Sequence, residues 1–445
     1  MNIILLSGGS GKRLWPLSNE VRSKQFLKIF KKEDGTPESM VQRMYRMIGE
    51  VDPDATVTIA TSANQVTAIK AQLDDKVGIS IEPCRRDTFP AIALAAAYLH
   101  DMKGVSGDEA VIVCPVDPYV ELDYFLMLSN LHTFAENGCS NLTLMGIEPT
   151  YPSEKYGYII PQTKDATSKV ATFKEKPDVS TAEKYISEGA LWNAGVFAFK
   201  LKYVLDIAES VFGTASYHEL FNNYHNLKKI SFDYAVVEKE SDIQVLRFSG
   251  EWKDLGTWNT LTEAMSEEVA GNAVAPDCVN THIINELQIP MVALGVKNLA
   301  IAATPDGILI ADKDSSDKLK DYVTDQRPMY EKRAWGEYMV LDYRNQEDGN
   351  NSLTKRLIIA PGQHISYQRH LHRSEMWTII DGTGKLILNG EITPVKRGDM
   401  VHVKPGMKHA IKADTELHII EVQIGDELTE EDIERLDWDW EINGL

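Results

Sequence analysis

The alternation of short β-rich runs with longer helical patterns in the first half of the chain constrains its fold more than any other feature. NIILLS is followed by a helical region after Lys24, then TVTIAT, then PAIALAAAYLH, then AVIVCPVD. That order predicts βαβ units and a mainly parallel sheet covered by helices. Ligands of such sheets sit beyond the carboxyl ends of the strands. Three polar loops follow strand-like runs and would open on that one edge: GGSGKR after NIILLS, EPCRRD after VGISI, and PVDP after VIVC. From about residue 263 the pattern changes to short apolar bursts, HIINE, MVALGV, LAIAAT and GILIAD, which predict a small β connector. The polar stretch 312–328 joins it to a last segment from Tyr330, whose short strands with Gly and Pro turns suit an antiparallel barrel or sandwich. The tail ELTEEDIERLDW reads as an acidic cap helix.

Charge narrows the function. Lys plus Arg total 46 against 66 for Asp plus Glu, a net charge of −20 over 445 residues, so the long-range field repels nucleic-acid backbones and anionic membranes. Any anionic ligand must be held by local pockets. No apolar run is long enough to cross a bilayer, NIILL lacks the charged flank of a secretory signal, and the four cysteines form no CxxC pair. The expected setting is the cytoplasm.

SGGSGKRLWPLS places Gly8, Gly9 and Gly11 directly after a buried-looking strand, with Lys12 and Arg13 just beyond. Glycines let backbone N–H groups approach phosphate oxygens, and Arg13 can fork onto a phosphate. The spacing fits neither GxxxxGK[ST] nor GxGxxG, which argues against a Walker NTPase and a Rossmann dehydrogenase. Asp117 in CPVDP and Asp254 in WKDLGTW suit a hard cation such as Mg²⁺, commonly held by one or two carboxylates plus substrate phosphates. Taken singly, Asp117 is equally a turn residue before Pro118, and Asp254 a helix N-cap. Glu175 and Lys176 in FKEKPD pair an acceptor for a sugar hydroxyl with a cation for a phosphate, or form an exposed turn.

The order SGGSGKRLWPLS, KQFL (24–27), EPCRRDTFPAIALAAA (82–97), CPVDP (114–118), KYGYI (155–159), FKEKPD (173–178), WNAGVFAFK (192–200), FDYAVVEK (232–239) and WKDLGTW (252–258) closely resembles mannose-1-phosphate guanylyltransferases. The resemblance implies a Rossmann-like mixed-sheet nucleotide-diphospho-sugar transferase domain at 1–262, a β-rich connector at 263–329 and a cupin barrel at 330–445. It implies that GTP and mannose-1-phosphate give GDP-mannose and pyrophosphate. Arg13 and Lys24 would steady the triphosphate, Asp117 and Asp254 would hold Mg²⁺, and Lys176 would meet the sugar phosphate. Glu175, Asn193 and the backbone at Gly157 would meet sugar hydroxyls, while Glu82 and Pro83 lie along base and ribose. Two departures stand beside that pocket: PVDP where the family has PADH, and RRDTFPA where it has RNTAPA. A related nucleotidyltransferase acting on another sugar-1-phosphate or NTP, and a catalytically silent sugar-nucleotide sensor, are the alternatives. A homo-oligomer is compatible with all three.

In QRHLHRSEMWTIIDG, His370 and His372 alternate on an expected strand and so share a face, and Glu375 follows at cupin-motif spacing. With His409 of GDMVHVKPGMKH they form a set suited to a divalent transition metal, Gln368 being a substitute ligand. Members of the family that isomerise mannose-6-phosphate resemble HRAEHW, whereas Met376 replaces that histidine here, and an asparagine expected after His409 is missing. Metal binding without isomerisation is the expectation.

Overall fold

The computed structural model describes residues 1–8, 12–19, 22–323, 327–346 and 349–440. Nine strands form the main sheet: β1 (Asn2–Leu6), β2 (Thr56–Ser62), β3 (Gly78–Glu82), β4 (Ala110–Pro115), β5 (Leu142–Ile147), β6 (Tyr158–Pro161), β7 (Thr167–Lys174), β8 (Leu191–Lys200) and β9 (Ile243–Phe248). Their order is β3-β2-β1-β4-β8-β5-β9-β7-β6. The first four run parallel, and β8 then enters antiparallel to both β4 and β5. The sheet is therefore mixed, parallel on the side that carries the three loops. Helices Met40–Val51, Thr88–Lys103 and Leu122–Glu136 cover it. Strands β4 and β5 are almost wholly buried, which explains why they read as continuous apolar runs rather than alternating ones. No helix among the described residues is long and apolar enough to cross a membrane.

Beyond helix Trp258–Ala264, strands Val269–Gly271, His282–Asn285 and Leu299–Thr304 pair in parallel, and Gly307–Asp312 closes the sheet antiparallel. This connector shares a core with the first loop: Leu14 and Leu17 pack with Trp258, Leu261, Ile284, Ala300 and Leu309. Thr304 Oγ1 donates to the Pro16 carbonyl (3.1 Å) and Trp258 Nε1 to the Trp15 carbonyl (3.1 Å). The segment carrying Arg13 is thus braced from behind.

From Tyr330 two antiparallel sheets of six and five strands face each other over Leu357, Trp377, Ile379, Val403, Ile411 and Ile419. The tail forms no α-helix: Glu430–Asp432 is a short 3-10 turn, and Glu434–Arg435 adds a strand beside Gln368–Arg369. Tertiary bonds override its helical propensity, since Glu434 forks onto Arg369 (2.6 and 2.9 Å) and Asp432 faces inward.

Candidate functional site

Two short strands explain how distant acids meet. Pro118–Val120, just after β4, pairs antiparallel with Trp252–Asp254 so that Asp254 stands opposite Pro118, next to Asp117. Thr257 N-caps the following helix, which frees the Asp254 carboxylate from that duty. Lys24, in a 3-10 turn, places Nζ 2.7 Å from Asp117 Oδ2 and 3.8 Å from Asp254 Oδ1. Burial works against the Lys24 charge, but Asp117 and Asp254 outweigh it and raise its pKa. Burial also raises the Asp254 carboxyl, against the pull of Lys24. Arg13 is exposed but close enough to act electrostatically on both. Two adjacent, partly exposed carboxylates are ligands of the kind hard divalent cations take.

Asp117 and Asp254 form one wall of a pocket of about 240 Å³ whose other walls include Gly157, Glu175 and Asn193. Asn193 precedes a break in the register between β8 and β5 that re-aims its side chain. Its Nδ2 donates to Asp233 Oδ1 (2.7 Å), its Oδ1 accepts from the Gly195 amide (3.1 Å), and its amide donates to the Gly157 carbonyl (2.8 Å). A Cβ at Gly157 would stand 2.5 Å from Glu175 Oε2, so a larger residue would displace Glu175 from this wall. Lys176 is bonded to Glu175 through Nζ, with over half its side chain exposed.

The sequence reading did not single out Lys155, Tyr156, Asp233 or Trp252, which also line this pocket. Asp233 carried a signal: a carboxylate inside the otherwise apolar run FDYAVV seldom packs inward without a task. It opens a five-residue π-helical turn, a local irregularity common at functional sites. Burial, followed by repulsion from Glu175, pushes its pKa up to about 6. A carboxyl whose folded pKa is raised loses stability as pH climbs from its unfolded value through the folded one. Asp233→Asn is therefore expected to stabilise the protein at pH 7.5 by on the order of 2–3 kcal/mol, and by only about 1 kcal/mol at pH 4.5. Urea denaturation at both pH values checks this; equal gains at both would refute the assignment.

Other expected residues stand apart. Glu82 and Pro83 lie at the same sheet edge, but Tyr224 Oη donates to Glu82 Oε2 (2.8 Å), and neither residue lines the pocket. Burial pushes the Glu82 carboxyl up to about 7. Gly8 is exposed just past β1, while Gly9 and Gly11 lie outside the described residues.

In the barrel, strand Arg373–Asp381 turns Arg373, Glu375, Trp377 and Ile379 inward, and the facing strand turns in Gln423, Glu421 and Ile419. One end of the interior is thus polar and the other apolar. His370 Nε2 stands 3.1 Å from Glu375 Oε1, and His409 Nε2 3.5 Å from Glu375 Oε2. Their Nδ1 atoms lie 3.1 Å from the carbonyls of Asp432 and Met407, contacts that orient both rings with Nε2 toward Glu375. Ligand atoms of these three residues lie within 4.8 Å of one another.

His372 does not join them. The segment 370–372 is a bend rather than a strand, because the Asp432 carboxylate takes the amides of Leu371 (2.8 Å) and His372 (3.1 Å). Strand alternation is lost, and His372 points outward, half exposed, toward Asp426. Gln368 stays close, with Nε2 3.5 Å from His370 Nε2. Arg373 comes in instead: Nε donates to Glu375 Oε1 (3.0 Å), and its guanidinium lies 3.4 Å from His370 Nε2. Met376, in place of the expected histidine, faces outward. A wider cavity of about 620 Å³ runs from Arg373 and Gln423 past Lys355 and Arg333 to Asn64 and Thr67 of the first domain.

Comparison with known proteins agrees with this architecture. The family model described as Nucleotidyl transferase matches residues 2–270, and that described as Mannose-6-phosphate isomerase C-terminal matches 321–438. The xanthan biosynthesis protein XanB of Xanthomonas campestris is 31% identical over 98% of this chain and 97% of its own length. A mannose-1-phosphate guanylyltransferase of Escherichia coli is 30% identical over 97% of each chain. The crystal structure of a mannose-1-phosphate geranyltransferase from Thermus thermophilus superposes with a TM-score of 0.61 and 30% identity, covering 72% of this chain and 97% of that one.

Proposed function

We propose that this chain, which belongs to the nucleotidyl transferase family, transfers a guanylyl group from GTP to mannose-1-phosphate, releasing GDP-mannose and pyrophosphate. The single observation that carries the reading is the short ladder that sets Asp117 beside Asp254 around Lys24, at the mouth of a pocket lined by hydroxyl-binding groups. Relatives that share nearly its whole length carry the same activity in their names.

An oxygen of the sugar phosphate attacks the α-phosphorus of GTP in line. The bond to the bridging oxygen breaks, and pyrophosphate leaves with the electron pair. The attacking phosphate is already ionised, so the protein supplies alignment and charge neutralisation rather than a base. Glu175, Asn193 and the Gly157 backbone orient the mannose ring, joined by Asp233. Lys176 breaks from Glu175 to meet the sugar phosphate. Arg13, Lys24 and the amides at Gly8, Gly9 and Gly11 receive the triphosphate, and Glu82 and Pro83 flank base and ribose. Asp117 and Asp254 fit Mg²⁺, being hard, adjacent and open to the pocket; when bound, it supplies positive charge to the phosphates of both substrates. The working division is 1–262 for transfer, 263–329 as brace and 330–445 as barrel, in the cytoplasm, with no nucleic-acid or membrane partner.

Pyrophosphate release across a matrix of nucleoside triphosphates and sugar-1-phosphates tests the reading. GTP with mannose-1-phosphate is expected to give the highest kcat/KM. Turnover with a different pair only would move the assignment within the family, and tight binding without release would favour a sensor.

For the barrel we propose a divalent transition metal on His370, Glu375 and His409, without isomerase activity. Imidazole nitrogens of oriented rings beside one carboxylate suit Zn²⁺ or its neighbours, although Arg373 competes for the same acceptors. His370→Ala is expected to abolish metal uptake, measured by elemental analysis after dialysis, while pyrophosphate release stays near wild type. Unchanged metal content would remove the site.

A further inference from the structure

At the carboxyl ends of β1 and β2 lies a buried cluster of polar side chains that the proposed mechanism does not use. Ser7, Ser23, Gln25, Thr61 and Gln65 are each no more than 2% exposed. Gln65 is their hub. Its Oε1 accepts from Thr61 Oγ1 (2.7 Å), Ser7 Oγ (3.2 Å) and Gln25 Nε2 (3.3 Å), and its Nε2 donates to Ser23 Oγ (2.6 Å). Gln25 Nε2 also donates to Ser7 Oγ (2.9 Å).

The members sit where geometry matters most. Ser7 ends β1 and roots the glycine loop, with its amide bonded to Ala60 of β2 (2.9 Å). Ser23 and Gln25 flank Lys24 in its 3-10 turn. Thr61 and Gln65 belong to the end of β2 and the turn after it. One carboxamide therefore ties together three chain segments at the carboxyl edge of the parallel strands. Burying so many polar groups is costly unless all are bonded, and apolar packing would hold the same segments without fixing their direction. A satisfied network fixes direction.

We infer that Gln65 is a positioning residue for nucleotidyl transfer, holding Lys24 and the root of the glycine loop in register with each other through Ser23 and Ser7. This rests on the reading of Lys24 given above. It concerns rate rather than sugar recognition, because the network touches none of the residues lining the sugar side of the pocket.

Gln65→Leu removes the four hydrogen bonds at similar volume. Turnover per folded protein, with the folded fraction taken from circular dichroism, is expected to fall about 10- to 100-fold, with KM for mannose-1-phosphate unchanged. In a Lys24→Met background the same substitution is expected to cost little more, since the group it positions is gone. A purely structural role predicts a normal kcat in the folded fraction, and an effect on rate independent of Lys24 predicts penalties that multiply in the double variant. Either result overturns the inference. Ser23→Ala, which removes only the acceptor of the Gln65 amide, serves if Gln65→Leu does not fold; a loss of about tenfold is expected, and an unchanged kcat overturns the inference equally. A fall in Lys24→Met beside a normal Gln65→Leu sinks this inference alone. Wild-type turnover in Lys24→Met sinks the reading of the site and this inference with it.

Discussion

Asp254→Asn is expected to leave the protein folded and to lower its turnover by two or more decades. Asparagine keeps the shape and the strand pairing opposite Pro118, and Thr257 rather than Asp254 caps the next helix. What it removes is half of the paired negative charge around Lys24. Groups that organise charge at a phosphoryl centre contribute several kcal/mol to the transition state, and about 2.7 kcal/mol already corresponds to a hundredfold in rate. Stability should not suffer, because burial raises the Asp254 carboxyl and so opposes its ionised form. The split between kcat and KM is diagnostic: loss of charge organisation at the α-phosphate lowers kcat, whereas loss of sugar contacts would raise KM for mannose-1-phosphate. A folded Asp254→Asn protein with near wild-type kcat would remove the carboxylate pair from the mechanism.

How far such a site is legible in sequence depends on whether its parts are fixed locally. The three loops at one sheet edge follow from strand order, because a parallel strand must end where its neighbours end. Asp117 ends such a strand, and its neighbourhood is foreseeable. Its meeting with Asp254 is implied only by the family resemblance and not by local pattern, since it depends on a three-residue ladder between segments 134 residues apart that carries no periodic signal of its own. The Gln65 network is hidden for a related reason: Ser, Thr and Gln at strand ends look like ordinary turn residues until three segments converge. The barrel shows the converse failure. HLH satisfies the alternation of a strand, yet Asp432, more than fifty residues on, takes the amides that a strand would have paired. The same acidic tail, patterned like a helix, is drawn into the barrel by that contact and by Arg369. Local pattern decided the elements; long-range polar contacts decided which side chains face the sites.

Those long-range contacts also set the largest stability effect expected in the molecule. Arg373→Met is predicted to destabilise the barrel by about 3–5 kcal/mol, the usual consequence of removing one partner from a buried charged group. Arg373 is 4% exposed and bonds Glu375 Oε1 (3.0 Å) and the Thr429 carbonyl (2.9 Å), with Asp432 Oδ2 at 3.5 Å. Two buried carboxyls depend on their polar neighbours. Burial presses the Glu375 carboxyl upward, but His370 and His409 hold it well below the usual carboxylate range. Burial and repulsion from Glu375 push Glu421 up to about 7, with Lys355 and Arg373 opposing. Without the guanidinium, the barrel keeps its acids and loses a buried cation that is charged at every pH. The loss should shrink in the presence of Zn²⁺ if the proposed site on His370, Glu375 and His409 takes it up, since a ligand of the folded state stabilises that state. Urea unfolding at pH 7.5 followed by circular dichroism, with and without Zn²⁺, separates these contributions. A loss below 1 kcal/mol at pH 7.5 would mean that water, not Arg373, neutralises the polar end of the barrel.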